Sequence, residues 1–183
     1  MEKQNEVNLL TKECILTALL RLMEEKNYQN ISITDITTLA GVSRMAYYRN
    51  YSSKEDILIK HLEDEERKIV NAFSNRSVTS IRDIIYYVSY FIQENSKVIK
   101  AIYAAGLTHK LTEMLNERIY SYFPVSHQSV EGEFATRYYV GAILAVYSYW
   151  IDTGMKEPAE TVAEIICNLI AQDNAIEYLV YPS

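Results

Sequence analysis

A tight turn at Gly41, between two short predicted helices, constrains the fold of this chain more than any other feature of its sequence. Ser32, followed three residues later by Asp35, is a capping-box pattern that starts a helix, and Gly41 ends that helix. Ser43 then caps a second short helix, which is predicted over residues 44–50. Two helices joined by so short a turn form a helix-turn-helix, which projects its second helix outward.

The rest of the chain carries apolar residues at helical spacing, and no stretch shows the period of two that is typical of strands. A first helix is predicted from near Val7 to about Lys26, after which Tyr28 turns inward. Ser52 followed by Glu55 predicts a second capping box. Further helices are predicted at Lys54–Phe73, Ser80–Glu94, Ser96–Ala105, Thr108–Phe123, Glu131–Thr153 and Pro158–Ala171, with a polar link at residues 75–79.

Composition and charge narrow the class of protein. The two cysteines, Cys14 and Cys167, lie far apart, which predicts free thiols in a reducing cytoplasm. The longest apolar run, Tyr138–Ile151, is shorter than the roughly 20 residues of a membrane span, so no membrane partner is expected. The net charge of −6 opposes binding to nucleic acid, yet residues 31–54 hold three basic residues and one acid. Such a patch can bind DNA because screening confines each charge to about 8–10 Å.

A series of spaced residues near the start of the chain resembles the N-terminal domain of the TetR (tetracycline-repressor) family. The resemblance is carried by Thr11, Ile15, Ala18, Tyr28, Ser32-Ile-Thr-Asp-Ile36, Ala40-Gly-Val-Ser43, Tyr48-x-x-Tyr51, Ser53-Lys-Glu55 and Leu58. It implies an all-α fold with a three-helix helix-turn-helix DNA-binding domain, residues 1–56. A helical ligand-binding and dimerisation domain, residues 57–183, is expected to follow.

In that family the helix after the turn reads DNA, so the resemblance implies a set of DNA-binding residues. Tyr48 and Lys54 take positions that bind phosphate, while Arg44 is placed to pair with guanine and Asn50 with adenine. The full set, in which Ser32 and Thr34 are further phosphate contacts, is Ser32, Thr34, Ser43, Arg44, Met45, Ala46, Tyr48, Arg49, Asn50 and Lys54.

The chain departs from the family pattern inside this helix. Met45 stands where a small residue is common, Tyr47 where leucine is usual, and Asn50 where histidine or tyrosine is common. The family's base preference therefore does not carry over at Met45 and Asn50. A purely structural three-helix bundle, in which the serines are plain helix caps, is the alternative reading of the whole segment.

The stretch from Tyr138 to Ala163 resembles one C-terminal subtype of the family, in which a long apolar helix ending in Trp-x-x-x-Gly precedes a final helix. The resemblance implies that these two helices pair with their copies in a second subunit, giving a homodimer suited to a palindromic operator. The expected interface residues are Tyr139, Ile143, Val146, Trp150, Val162, Ile165 and Leu169. The alternative is that the long helix is buried in the core of one chain.

Most of the sixteen tyrosines follow residue 77, and tyrosine supplies the polar tips of apolar ligand pockets. The expected pocket residues are Tyr86, Tyr87, Tyr90, Phe91, Tyr103, Tyr138 and Tyr147. The alternative is that these side chains are core and interface residues with satisfied hydroxyl groups.

The predicted function is that of a cytoplasmic DNA-binding transcriptional regulator, a repressor released by a small-molecule or protein effector. The alternative is a protein-binding adaptor or co-activator that keeps the TetR-like fold. No catalytic motif is recognisable, so we expect no enzyme, no cofactor and no metal site. His61 and Glu65, at i and i+4, are more typical of a solvated surface contact than of metal ligands.

Overall fold

The structure of the chain, a computed structural model, describes residues 2–73, 80–113 and 130–172. These residues are mostly helical and contain no strand, which confirms the all-α fold. The helices are α1 (Glu2–Glu25), α2 (Ile33–Ala40), α3 (Arg44–Asn50), α4 (Lys54–Phe73), α5 (Ile81–Glu94), α6 (Ser96–Ala104), α7 (described over residues 108–113), α8 (Val130–Asp152) and α9 (Ala159–Gln172). The predicted continuation of α7 to Phe123 and the predicted polar link at residues 75–79 lie outside the described residues.

The chain divides into two compact units. The first comprises Met1–Lys68 with Lys97–Thr108, and the second comprises Ile69–Ser96 with His109–Ser183. Compactness alone does not assign an activity to either unit, so the predicted boundary between a DNA-binding and a regulatory domain at residue 56 stays a prediction.

The helix-turn-helix of the first unit forms where its local signals lie. The Ser32 hydroxyl accepts a hydrogen bond from the Asp35 N–H (3.1 Å), and the Asp35 carboxylate accepts one from the Ser32 N–H (2.9 Å), so the capping box is present. Gly41 has a left-handed backbone (φ 67°), which glycine adopts without steric cost. α3 begins one residue after Ser43, whose hydroxyl accepts from the Ala46 N–H at 3.1 Å.

One predicted capping pair and one predicted helix start need correction. The capping pair of α4 is Ser53 with Asp56, since the Asp56 N–H donates to the Ser53 hydroxyl (3.2 Å) and the Ser52 N–H donates to the Asp56 carboxylate (2.8 Å). The predicted Ser52–Glu55 pair is one residue too early because α4 begins at Lys54. α1 begins at Glu2 and not near Val7, and residues 2–6 contain no glycine or proline that would stop the helix earlier.

Apolar side chains from α1 to α4 form the core of the first unit. α1 packs against α2 and α3, and the most deeply buried side chains are Ile15, Leu19, Ile36, Tyr47, Ile57, Leu58 and Leu62. Ile15 and Leu19 lie four residues apart on one side of α1. Burial of that side packs α1 against α2 and α3.

The second unit is built around the packing of α5 against α9, with α8 also touching α9. The Tyr147 hydroxyl links α8 to α5 because it donates to the Ile85 carbonyl (3.0 Å) and lies 3.0 Å from the Ser89 hydroxyl. The predicted glycine stop of α8 is present, with Gly154 at φ 90°. α9 begins at Ala159, so Pro158 lies at the cap and not within the first turn as predicted.

Candidate DNA-binding site

α3 presents a polar and flat surface on one side and buries the other. Tyr47 is fully buried, whereas Met45 and Tyr48 are 74% and 59% exposed and Arg44 and Arg49 are also exposed. The capped start and the glycine turn at its N-terminal end leave this outer side open. A helix with one buried aromatic anchor and four exposed side chains is shaped to enter a major groove.

The first turns of α2 and α3 lie close enough to share a hydrogen bond. The Arg44 guanidinium donates through Nη2 to the Thr34 hydroxyl, and both side chains are exposed. Ser32 and Ser43 are exposed as well, and each hydroxyl accepts from a backbone N–H as a helix cap. The structure therefore brings four of the predicted DNA-binding residues together at the two helix starts.

The only acid between residues 31 and 54 is held in an ion pair. The Lys26 ammonium donates to the Asp35 carboxylate (Nζ–Oδ2 2.7 Å), and this contact, with those of Ser32, keeps the pKa of Asp35 well below its usual range. Lys26 thus offsets a negative charge that would repel phosphate at the start of α2. Lys26 was not among the predicted site residues, although the sequence shows its position just after α1 and its charge opposite to that of Asp35.

Lys54 makes hydrogen bonds within the chain, which were not part of the phosphate contact predicted for it. Its ammonium donates to the Tyr28 carbonyl (2.9 Å) and the Ile31 carbonyl (2.7 Å) and lies 4.4 Å from the centre of the Tyr28 ring. An ammonium has three N–H donors, so one remains for a phosphate. Lys54 ties the start of α4 to the segment that leads into α2, and its phosphate contact stays a prediction.

Asn50 turns its amide back onto its own helix. The Asn50 Nδ2 donates to the Ala46 backbone carbonyl (2.9 Å), and the Lys60 ammonium donates to the Asn50 backbone carbonyl (3.2 Å). A bidentate pair with adenine requires the amide to point outward, so this geometry weighs against the predicted role of Asn50. Ala46, one turn earlier, is only half-exposed.

Tyr47, which stands where leucine is usual in the family, packs inside the helix-turn-helix. Its ring packs edge-on against Tyr48 (centroids 5.3 Å apart) and at a tilt against Tyr51 (5.9 Å). Burial raises the pKa of Tyr47 to about 12, and its hydroxyl has no hydrogen-bond partner among the residues that the structure describes. Tyr47 therefore anchors α3 and is unavailable to DNA.

The seven aromatic residues predicted to line a ligand pocket do not form one cluster in the second unit. Phe91 and Tyr147 are core residues, and Tyr103 belongs to the first unit. Tyr90 and Tyr138 are exposed, while Tyr86 is engaged by Arg82, whose guanidinium donates to its hydroxyl at 3.0 Å. Tyr87 packs near Phe91, with ring centroids 6.2 Å apart. The alternative reading, core and interface residues with satisfied hydroxyl groups, fits Phe91, which is buried, and Tyr147, which is buried with its hydroxyl hydrogen-bonded.

Three predicted interface residues are also buried within a single chain. Ile143, Trp150 and Val162 keep at most a twentieth of their surface exposed, so they have almost nothing left to bury against a second subunit. In a single chain they belong to the core of the second unit, which weighs against the interface role that stays a prediction for them. Periodicity identified the apolar stripe but not the neighbour that covers it.

Other apolar side chains on α8 and α9 remain uncovered. An open groove of about 260 Å³ lies between the two helices and is lined by Tyr138, Tyr139, Ala142, Ile143, Val146, Ile166, Leu169 and Ile170. Beyond the groove, the exposed apolar residues of these helices are Val130, Phe134, Tyr149 and Ile165. Three of these, Val130, Phe134 and Tyr149, were missed, although Val130, Phe134 and Tyr138 recur at i, i+4 and i+8.

Two other kinds of site are absent from the described residues. No group of three or more histidine, cysteine, aspartate or glutamate side chains that could hold a metal ion lies in residues 2–73, 80–113 and 130–172. Across the same ranges, no helix is both long and apolar enough to cross a membrane.

Two family models match the chain. The model described as the bacterial regulatory proteins of the tetR family covers residues 15–60, and the model described as a transcriptional regulator C-terminal region covers residues 79–172. The curated HTH-type transcriptional regulator YxbF of Bacillus subtilis strain 168 is 21% identical over an alignment that covers 88% of this chain. The chain spans only 46% of the length of that regulator.

Solved structures share the fold at low sequence identity. A TetR-family regulator from Syntrophomonas wolfei is 21% identical, with a TM-score of 0.65 over 91% of this chain and 95% of that one. The dihydroxyacetone kinase operon activator DhaS is 20% identical, with a TM-score of 0.64 over 94% of this chain and 99% of that one.

Proposed function

Because this chain belongs to the TetR family of bacterial transcriptional regulators, we propose that it binds a double-stranded DNA operator through α3. The observation that carries the proposal is the outer side of α3, where Arg44, Met45, Tyr48 and Arg49 are exposed beyond a glycine turn. Side chains at the start of such a helix reach base edges, and the flanking contacts go to phosphates.

The local charge supports contact with phosphate despite the net charge of −6. Arg44 and Arg49 are exposed on α3, while the carboxylate of Asp35 is paired with Lys26. Pairing of Asp35 leaves Arg44 and Arg49 as exposed positive charges on the outer side of α3. A screened, locally positive surface of this kind binds a polyanion even on an acidic protein.

The proposal includes a homodimer that reads a palindromic operator. A single helix-turn-helix contacts few base pairs, and two copies related by a two-fold axis double the readout. Support comes from the apolar residues that a single chain leaves exposed on α8 and α9, namely Phe134, Tyr138, Tyr149, Ile165 and Leu169. Tyr139 and Val146, which line the same groove and are half-exposed, keep their proposed interface role.

In this proposal the regulator is a cytoplasmic repressor that leaves its operator when an effector, a small molecule or a second protein, binds to the second unit. An effector releases a repressor only by binding the form that is incompetent for DNA more tightly than the competent form. The groove between α8 and α9 is open and mostly apolar, which suits either class of effector as well as a second subunit.

Selection from randomised duplex DNA tests the proposal. The parent protein is expected to enrich a palindromic motif, and Arg44→Ala is expected to relax one position of each half-site at a cost of about 1–3 kcal/mol. Arg82→Ala is the matched control because it removes an exposed arginine of the second unit. A parent protein that enriches no motif would instead favour the alternative, an adaptor that keeps the fold without reading DNA.

A further inference from the structure

The hydrogen bond between Arg44 and Thr34 lies at the point where α2 and α3 present their first turns. Arg44 is the first residue of α3, directly after its cap, and Thr34 lies in the first turn of α2. The Arg44 Nη2 donates to the Thr34 Oγ1, although both side chains are exposed and have solvent as an alternative partner. The contact joins the two helices of the helix-turn-helix through the residue expected to read a base.

The chemistry of the two groups leaves each free to contact DNA while the bond is kept. A hydroxyl has two acceptor lone pairs and one donor, so Thr34 still has its O–H for a phosphate. A guanidinium has five N–H donors, and four remain for the two acceptors of a guanine edge.

Asp35, the acid of α2, is engaged with other groups. One oxygen of Asp35 already accepts from the Lys26 ammonium (2.7 Å) and the Ser32 N–H (2.9 Å). A carboxylate partner would also cancel the positive charge that attracts DNA, whereas a neutral hydroxyl directs the guanidinium and leaves its charge intact.

We infer that Thr34 is a positioning residue for base selection, because it holds the Arg44 guanidinium in one orientation before DNA arrives. An exposed arginine samples many rotamers, and ordering it on binding opposes recognition. A bond made in the free protein reduces that loss for the base pair that suits the held orientation. The inference rests on the proposed function, since it assigns Thr34 a part in base selection at the same site.

Thr34→Val tests the inference because valine keeps the branched shape and loses the hydroxyl, while Thr34→Ser is the matched control that keeps it. We expect Thr34→Val to lower discrimination at the base pair read by Arg44 by about fivefold to tenfold, and Thr34→Ser to change it by less than about twofold. The slope of log affinity against log salt is expected to stay unchanged in both, since neither loses a charge. Circular dichroism melting of both variants verifies that the fold is kept.

A double-mutant cycle separates positioning from a plain phosphate contact. In an Arg44→Ala background, Thr34→Val is expected to leave the remaining discrimination unchanged, because the group that Thr34 positions is gone. If Thr34→Val alone weakens every duplex equally and keeps the selected motif, Thr34 touches only phosphate and the inference is wrong. A parent protein that selects no duplex overturns the proposed function, and this inference with it.

Discussion

Three tyrosines of the first unit and two of the second differ sharply in exposure. In the first unit, Tyr28, Tyr47 and Tyr51 are buried, and burial raises the pKa of each. In the second unit, Tyr138 and Tyr149 stand largely exposed on α8. Buried aromatic rings support a polar outer surface, whereas exposed rings on an apolar helix leave a surface that water covers poorly. The difference suits the first unit to a charged polymer and the second to another apolar surface.

The largest effect is expected from a charge at Ile143. This change tests whether Ile143, Trp150 and Val162 belong to the core of the second unit. Ile143 is 5% exposed, so Ile143→Glu places an unpaired charge in that core and should cost about 3 kcal/mol or more of the free energy of unfolding. Thermal melting followed by far-ultraviolet circular dichroism measures this loss. A variant that melts with the parent would show that Ile143 does not belong to that core.

A smaller effect is expected from the same charge on the uncovered side of α9. Leu169 is 53% exposed, so Leu169→Glu should leave the fold of one chain intact and weaken a dimer that buries this side. A two-fold interface carries the change twice, and at about 1.4 kcal/mol per copy the dissociation constant rises about 100-fold. Light scattering after size exclusion reports the mass. Lys100→Glu, an exposed position in the first unit, is the control.

If Leu169→Glu stays a dimer at micromolar concentration, or if the parent itself is a monomer there, α8 and α9 do not form the interface. The exposed tyrosines would then need a different partner.

The next prediction concerns the first unit. Lys54→Ala removes two hydrogen bonds from a charged donor to the carbonyls of Tyr28 and Ile31, which should cost about 2 kcal/mol of stability. If the third N–H also reaches phosphate, the slope of log affinity against log salt should fall by about one. Arg49→Ala, which removes an exposed cation of α3, should lower the slope without the loss of stability. A Lys54→Ala protein as stable as the parent would contradict the internal role.

The smallest expected effect is a dependence of stability on pH. The Lys26 ion pair holds the pKa of Asp35 below its ordinary value, so the unfolded chain takes up a proton at a higher pH than the folded chain does. The stabilisation is therefore complete above about pH 5, where unfolded aspartate is almost fully ionised, and is lost progressively as the pH falls further. Denaturant midpoints measured from pH 5 downward should decline less in Asp35→Asn than in the parent, and equal declines would rule out this contribution.

Sequence predicted the first unit well because its signals are local. Ser32, Gly41 and Ser43 each fix a helix boundary through a bond or a backbone angle within a few residues, so α2 and α3 lie where they were predicted. The predicted role of Lys54 was incomplete because its carbonyl partners lie more than twenty residues earlier in the chain, and no local pattern indicates such contacts.

The second unit shows why the rest of the site was not predictable. Helical spacing placed Ile143 and Leu169 in matching apolar stripes, yet one is buried and the other exposed. Which side of a helix is covered depends on the packing of α5 and α9, a contact between segments far apart in sequence. Tyr147 was likewise assigned to a pocket because periodicity cannot show that Ile85 and Ser89 satisfy its hydroxyl.

The environment of Trp150 has a spectroscopic consequence. It is the only tryptophan in the chain, its ring is 2% exposed, and its Nε1 donates to the Glu157 carbonyl (3.0 Å) across the turn between α8 and α9. An indole in such dry surroundings emits at shorter wavelength than one in water. Its intrinsic fluorescence therefore reports on the second unit, and a red shift marks the exposure of this ring to water.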